Sequence, residues 1–413
     1  MNIPIGRTHH DNPIAEISAG RLINQQVSLT KDDHPHADVS GLSMSGKSTF
    51  LLWICMQLIK YRKTFCLIDP HGELYRKLLA YLCLINTSMP VHLFDPSYEE
   101  KIVGFNSFLS PYEDEARLMT KARRMCTATL RVFGLGSLDY FGNLERWLTS
   151  IYYTMLELKL TVNSLDVFLY WDRKEERDKL ISRLRSQTVK NDLREFYSVS
   201  RQEFKKDLQS TRNKLQRFTH QQAKRIMGLR ENTLDLQRIV DNGEILLCNL
   251  QPAEDDLIGA TETNLLGTLL INDLWELTRK RKEKVDYYLL IDESSQFVGQ
   301  DAKSMLAEAA KYGLRIWLVY QESSQVKEIE GALKNARTKI AFTKKKRFNF
   351  TRVTGEKFDV DAPDVKSWPV SDEKVQAYIR RLTESFLTAE EVDRRLYSPN
   401  NEITPTEEPD PCE

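Results

Sequence analysis

The sequence is poor in cysteine. Six occur in 413 residues, at positions 55, 66, 83, 126, 248 and 412, and no Cys-x-x-Cys or Cys/His spacing joins them. That excludes a zinc-finger-type site and a disulfide-stapled scaffold, and it fits a reducing, cytoplasmic setting. Long apolar runs are missing too: none reaches the roughly 18 residues of a membrane-spanning helix. Residues 1–19 carry His and Asp but no apolar stretch, which excludes a signal peptide. No internal repeat is present, so a solenoid is excluded. Net charge is absent overall, with 59 Lys+Arg against 59 Asp+Glu. With 41% apolar and 29% charged residues, the chain is neither disordered nor collagen-like. Its length accommodates two to three domains of about 150 residues.

The balanced total conceals an asymmetry. Residues 115–235 hold 24 basic and 15 acidic side chains, whereas residues 353–413 hold 7 basic and 15 acidic ones. A basic middle and an acidic end point to a polyanion partner for the middle or to compensation within the chain. Residues 399–413 combine four prolines and five acids with no basic residue, a composition that predicts disorder.

Local pattern predicts an α/β fold. Residues 1–36 are polar and turn-rich, an N-terminal lead-in with room for a strand or hairpin. Short apolar runs at 65–69, 91–94, 245–250, 287–293, 315–320 and 338–342 read as strands of a mostly parallel sheet buried on both faces. Helical periodicity at 48–61, 73–83, 261–281, 301–312 and 324–335 separates them. Between about 111 and 240 strand-like runs vanish and long charged amphipathic stretches take over, at 113–133, 143–160, 164–185 and 189–227. The expected organisation is a P-loop core of 37–110 and 241–345, interrupted by an all-α insertion (111–240), then a C-terminal extension (346–398) and the acidic tail.

The strongest chemical signal is Gly41-Leu-Ser-Met44-Ser45-Gly46-Lys47-Ser48-Thr49, which matches G-x4-G-K-[ST]. A tight loop followed by a helix N-terminus offers backbone N–H groups to phosphates, and glycine lets the backbone approach. Lys47 is expected to reach the β- and γ-phosphates, and Ser48 to ligate Mg²⁺. The second signal is Leu-Leu-Ile-Asp292-Glu293, an apolar strand that delivers two carboxylates to its end. Asp292 is expected in the Mg²⁺ shell and Glu293 as the group that polarises the attacking water. Gln321 ends the strand 315–320, where it can sense the γ-phosphate or position water. Asp69 and His71 end another strand, either as couplers of nucleotide state or as structural hydrogen-bonders. Two basic clusters are candidate phosphate contacts: Lys121, Arg123, Arg124 and Arg131 on one helix, and Lys344-Lys345-Lys346-Arg347 with Phe348 and Phe350. The second also suits an edge strand protected by charge.

Taken in order, the P-loop, IDPHGEL, the helical insertion, GEILLCNL, LLIDESSQF, EAAKYGLRIWLVYQESSQV and LKNARTKIAF resemble the HerA–FtsK superfamily of motor ATPases over roughly residues 36–345. The likeness is greatest to HerA-type ATPases and to the motors of type IV secretion and conjugation coupling proteins. It implies a RecA-like core, ATP with Mg²⁺, a homo-hexamer hydrolysing ATP at subunit interfaces, and translocation of double-stranded DNA. The leading expectation is a HerA-type translocase acting with a nuclease or other effector in DNA processing or phage defence. The alternatives are a type IV secretion or conjugation coupling ATPase and a nucleotide-switched oligomeric scaffold. Three departures stand out. Met44 and Ser45 replace the family's usual loop residues. Fewer than 40 residues precede the P-loop region, so neither a HerA-type barrel nor a coupling-protein membrane anchor is expected. Ala310-Lys311 stands where the family often has Arg-Lys, so a trans-acting cation must come from Lys311, Arg337, Arg315 or Arg212, with Arg337 and Lys311 leading.

Overall fold

The structure, a computed structural model, describes residues 2–9, 25–30, 36–109, 112–134, 142–198, 202, 212, 215–216, 220–253, 257–299, 303–336 and 338–397. The acidic tail 399–413 and Arg337 lie outside the described residues. The chain divides into two compact units: Met1–Ser97, Arg124–Tyr140 and Asp235–Thr383 form the first, and Tyr98–Arg123, Phe141–Leu234 and Glu384–Glu413 the second.

The first unit is built on a sheet whose described strands are β1 (Ile3–Thr8), β2 (Gln26–Leu29), β3 (Ala37–Ser40), β4 (Thr64–Asp69), β5 (Val91–Phe94), β6 (Ile245–Asn249), β7 (Tyr287–Ile291), β8 (Leu314–Tyr320), β9 (Thr338–Lys344), β10 (Arg347–Thr351) and β11 (Lys357–Asp361). Their order is β2-β1-β11-β10-β9-β3-β8-β7-β4-β6-β5. The seven strands from β9 to β5 are mutually parallel. The central ones are buried on both faces, as YYLLI in β7 and ILLCN in β6, which is why they read as unbroken apolar runs. The helices α1 (Lys47–Lys60), α2 (Glu73–Ile85), α3 (Glu115–Val132), α4 (Ala260–Lys280) and α5 (Asp372–Leu382) include the principal crossovers. Trp275, Trp317, Tyr287, Phe50 and Phe65 fill the core. None of the described helices is long and apolar enough to cross a membrane.

Several boundaries differ from the sequence expectation. The lead-in supplies β1 and β2, paired antiparallel as a hairpin expectation allows, but it also joins the core sheet, where β1 pairs antiparallel with β11. Phe348 and Phe350 form the inward face of β10, buried in alternation with Asn349; the strand expected as an alternative is present, but between β9 and β11 and not at an edge. The charges beside them masked a period-two signal. The expected insertion also loses its residues 124–132 to the first unit. There Arg131 Nη2 donates to the Phe297 carbonyl at 2.7 Å, and Arg124 pairs with Glu276 at 3.4 Å. Lys121 is buried as well, so this cluster is not the exposed basic stripe its spacing predicted. The expected helices 301–312 and 324–335 each resolve into a 3₁₀ turn and a short α segment.

The second unit is helical. Arg177 is 2% exposed, stacked 3.8 Å from the Tyr197 ring centroid, and donates to the carbonyls of Val167, Tyr170 and Trp171. It satisfies the open end of the short helix Leu165–Leu169, a role that needs a planar fork of donors. Residues 384–397, expected in the C-terminal extension, belong here: Ile102 bridges Leu387, and Arg225 grips Asp393 through Nε at 2.8 Å and Nη2 at 2.6 Å. Arg225 holds the Asp393 carboxyl below its ordinary range through these hydrogen bonds. A depressed carboxylate pKa contributes stability that is full above the unfolded value and fades as pH falls through the folded one. Arg225→Ala is therefore expected to lose about 1 kcal/mol at neutral pH, given the partial exposure of the pair. The deficit should shrink in acid, as read by denaturant titrations at pH 7 and pH 3.

Candidate functional site

Loops after neighbouring parallel strands come together at the carboxyl edge of a sheet. Here β8 lies between β3 and β7, so the loop after β3, the carboxylates after β7 and the glutamine after β8 converge. The P-loop turns sharply out of β3. Gly41 has φ 152°, and a Cβ there would stand 2.5 Å from Phe342 Cβ on β9, so only glycine allows this approach. Met44 takes the left-handed conformation with φ 61° and is 86% exposed, while Ser45 is buried. The unusual loop residues thus divide into one facing solvent and one facing inward. Gly46, also at positive φ, precedes the first turn of α1.

Lys47 is buried and folds back on the loop, donating to the carbonyls of Gly41 at 2.6 Å and Leu42 at 3.0 Å. Burial pushes its ammonium pKa down, and the nearby Glu293 and Asp292 oppose that. Ser48 Oγ donates to Asp292 Oδ2 at 2.9 Å. Asp292 itself is pushed up to about 6, first by burial and then by the charges of Asp69 and Glu293, against the Ser48 hydrogen bond. Glu293 sits in the left-handed region at φ 44° and ψ 48°, a conformation that costs a non-glycine residue about 1 kcal/mol or more and marks functional turns. Gln321 Nε2 donates to Glu293 Oε1 at 3.0 Å. Six expected site residues therefore share one edge: Gly46, Lys47, Ser48, Asp292, Glu293 and Gln321. Thr49 follows in the first turn of α1, half-buried.

The donor set suits Mg²⁺. Two oxygen ligands at right angles on an octahedral ion, each about 2.0–2.1 Å away, stand about 2.9 Å apart. Ser48 Oγ and Asp292 Oδ2 already have that separation.

Other expected residues are placed elsewhere. Lys311 is exposed in the turn that leads into β8, so a whole strand separates it from Gln321 and it does not join its own chain's cluster. Arg315 is paired with Asp286 at 2.8 Å, and Arg212 lies over the Tyr170 ring in the second unit. Asp69 caps α2 instead of facing a ligand: its two oxygens accept from the N–H groups of His71 and Tyr75 at 2.9 and 2.8 Å. One residue of the second basic cluster, read only as a nucleic-acid or edge-strand charge, is instead a neighbour of the site. Lys346, in the β9–β10 turn, donates its backbone N–H to the Ser45 carbonyl at 2.8 Å.

Residues 5–351 match the protein family described as type IV secretory system conjugative DNA transfer. The chain belongs to this family. Among curated proteins, none matches the sequence. Among solved structures, this conjugative-transfer family member is similar to the plasmid coupling protein TrwB bound to a non-hydrolysable ATP analogue, with 15% identity over 87% of each chain and a TM-score of 0.53. TrwB with ADP and Mg²⁺ gives 14% identity over 87% of each chain and a TM-score of 0.51. VirB4 of Thermoanaerobacter pseudethanolicus gives 12% identity over 91% of this chain and 98% of the other, with a TM-score of 0.52. At these identities the likeness is one of fold, the RecA-like P-loop fold. Family membership favours the type IV secretion and conjugation motor class over the HerA-type reading with a nuclease partner.

Proposed function

We propose that the chain is an Mg²⁺-dependent ATPase that drives conjugative or type IV secretion transfer of DNA from the cytoplasmic side of a membrane. The observation that carries this reading is the contact of Ser48 with Asp292, continued by the link from Gln321 to Glu293. The neighbours solved with an ATP analogue and with ADP and Mg²⁺ support the choice of nucleotide. Gly41, Gly46, Lys47, Ser48 and Thr49 hold the triphosphate, with Met44 and Ser45 shaping the loop crest. Ser48 and Asp292 would hold Mg²⁺, which when bound would supply neutralisation of phosphate charge. Glu293 accepts a proton from the attacking water, and Gln321 fixes the carboxylate and reports on the γ-phosphate. By resemblance the working form is a hexamer, in which Lys311 or Arg337 of one copy completes the site of the next.

Steady-state ATPase activity with and without double-stranded DNA, at two salt concentrations, tests the reading. Stimulation by DNA that fades with salt is the expected result, because phosphate contacts are lost to counterions. Hydrolysis indifferent to DNA under every condition would remove DNA from the proposal.

A further inference from the structure

We propose that the β9–β10 turn belongs to the nucleotide site, with Lys346 as a second phosphate-binding cation that Asp364 holds in reserve. The inference rests on the reading that a nucleotide occupies the P-loop. Lys346 N–H donates to the carbonyl of Ser45, the residue just before Gly46. The Lys346 backbone N and Cα lie only 3.7 and 3.9 Å from where a Gly46 Cβ would stand, and the Phe342 ring is equally close. The turn thus walls the loop at Gly46, the glycine that the P-loop reading sets beside phosphate. The other backbone group of Lys346 is also engaged, since its carbonyl accepts from Ala362 N–H at 2.8 Å. Held from both sides, Lys346 adopts φ 60°, a left-handed conformation that a lysine takes only when its surroundings enforce it.

With the backbone fixed, the flexible four-carbon stem is what remains free to move. Its ammonium pairs with Asp364, and the two side chains are 55% and 72% exposed. An exposed ion pair of this kind is weak and readily exchanged. A triphosphate presents several negative charges against one carboxylate, so its arrival favours transfer of the ammonium from Asp364 to phosphate. Transfer would release Asp364, while Ala362 stays on the Lys346 carbonyl, and would loosen the segment beyond it, which leads to the contact of Trp368 with Tyr81 on α2, ring centroids 5.2 Å apart. Nucleotide occupancy would then be reported to the strand-free stretch between β11 and α5. Lys344 and Lys345, exposed on the same turn, add to the field that draws phosphate in.

The test is titration of a fluorescent ATP analogue into wild type, Lys346→Gly, Lys346→Arg and Asp364→Asn, with a double-stranded DNA fragment titrated in parallel. Glycine keeps the left-handed turn and removes only the side chain, so Lys346→Gly should melt no lower than wild type. Its affinity for the analogue should fall roughly five- to tenfold, the scale of a partly exposed charge-assisted contact. Lys346→Arg should recover most of the loss, and Asp364→Asn should bind more tightly than wild type. Wild-type affinity in Lys346→Gly overturns the proposal, and so does a loss confined to DNA, which would make the turn a nucleic-acid contact. Failure of wild type itself to bind the analogue would instead sink the nucleotide reading of the P-loop.

Discussion

Glu293→Gln is expected to bind ATP as wild type does and to hydrolyse it at least a hundredfold more slowly, since a positioned general base contributes about 10²- to 10⁴-fold. The substitution keeps the shape of the side chain and removes its ability to take a proton. The geometry gives a reason to expect clean separation of binding from turnover. The described side-chain hydrogen bond of Glu293 is the one that Gln321 Nε2 donates at 3.0 Å, and Glu293 acts on Lys47 and Asp292 through charge. A glutamine keeps a carbonyl oxygen for that hydrogen bond. The backbone turn at φ 44° suits glutamine no worse than glutamate. Asp292, the carboxylate assigned to the metal, keeps its side chain and its contact with Ser48, and loss of the Glu293 charge removes one of the influences that push its pKa up. Analogue titration beside steady-state phosphate release checks both halves, and near-normal turnover would remove Glu293 from the mechanism.

Lys47→Ala should abolish nucleotide-dependent stabilisation while leaving the empty protein's stability little changed. Binding at one hundred times the dissociation constant stabilises a protein by about 2.7 kcal/mol through mass action. Wild type should therefore melt higher with ATP and Mg²⁺, and the variant should not. The empty state is a different matter. Lys47 is buried with its ammonium on two loop carbonyls, and burial disfavours its charge. Removing it forfeits two hydrogen bonds but also lifts a desolvation cost, terms of similar size and opposite sign. Thermal melts with and without nucleotide separate the two effects. A variant that still gained stability from ATP would show that Lys47 does not grip the phosphates.

The grouping of the candidate site residues was legible because each part is short and local. The P-loop occupies nine consecutive residues, the carboxylate pair two, and Gln321 is announced by the strand it ends. Central strands were legible for a related reason: burial on both faces leaves an unbroken apolar run. What escaped depends on contacts far apart in sequence. Nothing near Lys346 announces that its amide will meet Ser45, 301 positions earlier by number. Nothing in IPIGRT announces β11. The edge of the insertion escaped for another reason. One helical period runs through Glu115–Val132 without a break, so periodicity gives no sign that its last residues pack with a different unit. The basic cluster on that helix was misread because charge in sequence does not say whether a guanidinium meets water or a carbonyl.

The pairing of β1 with β11 also sets a schedule for synthesis. His9 and Asp361, which hydrogen-bond at the end of that pairing, are 352 residues apart. At about 5–20 residues per second on the ribosome, β1 waits roughly 20 to 70 seconds for β11 to emerge. Until then, β1 presents an open hydrogen-bonding edge and the apolar side chains of Ile3, Ile5 and Val27 lack their finished surroundings, in which all three are buried. Such an edge is a template for pairing with the wrong chain. The unpaired edge of β1 is thus one that shielding would protect while the chain is being made.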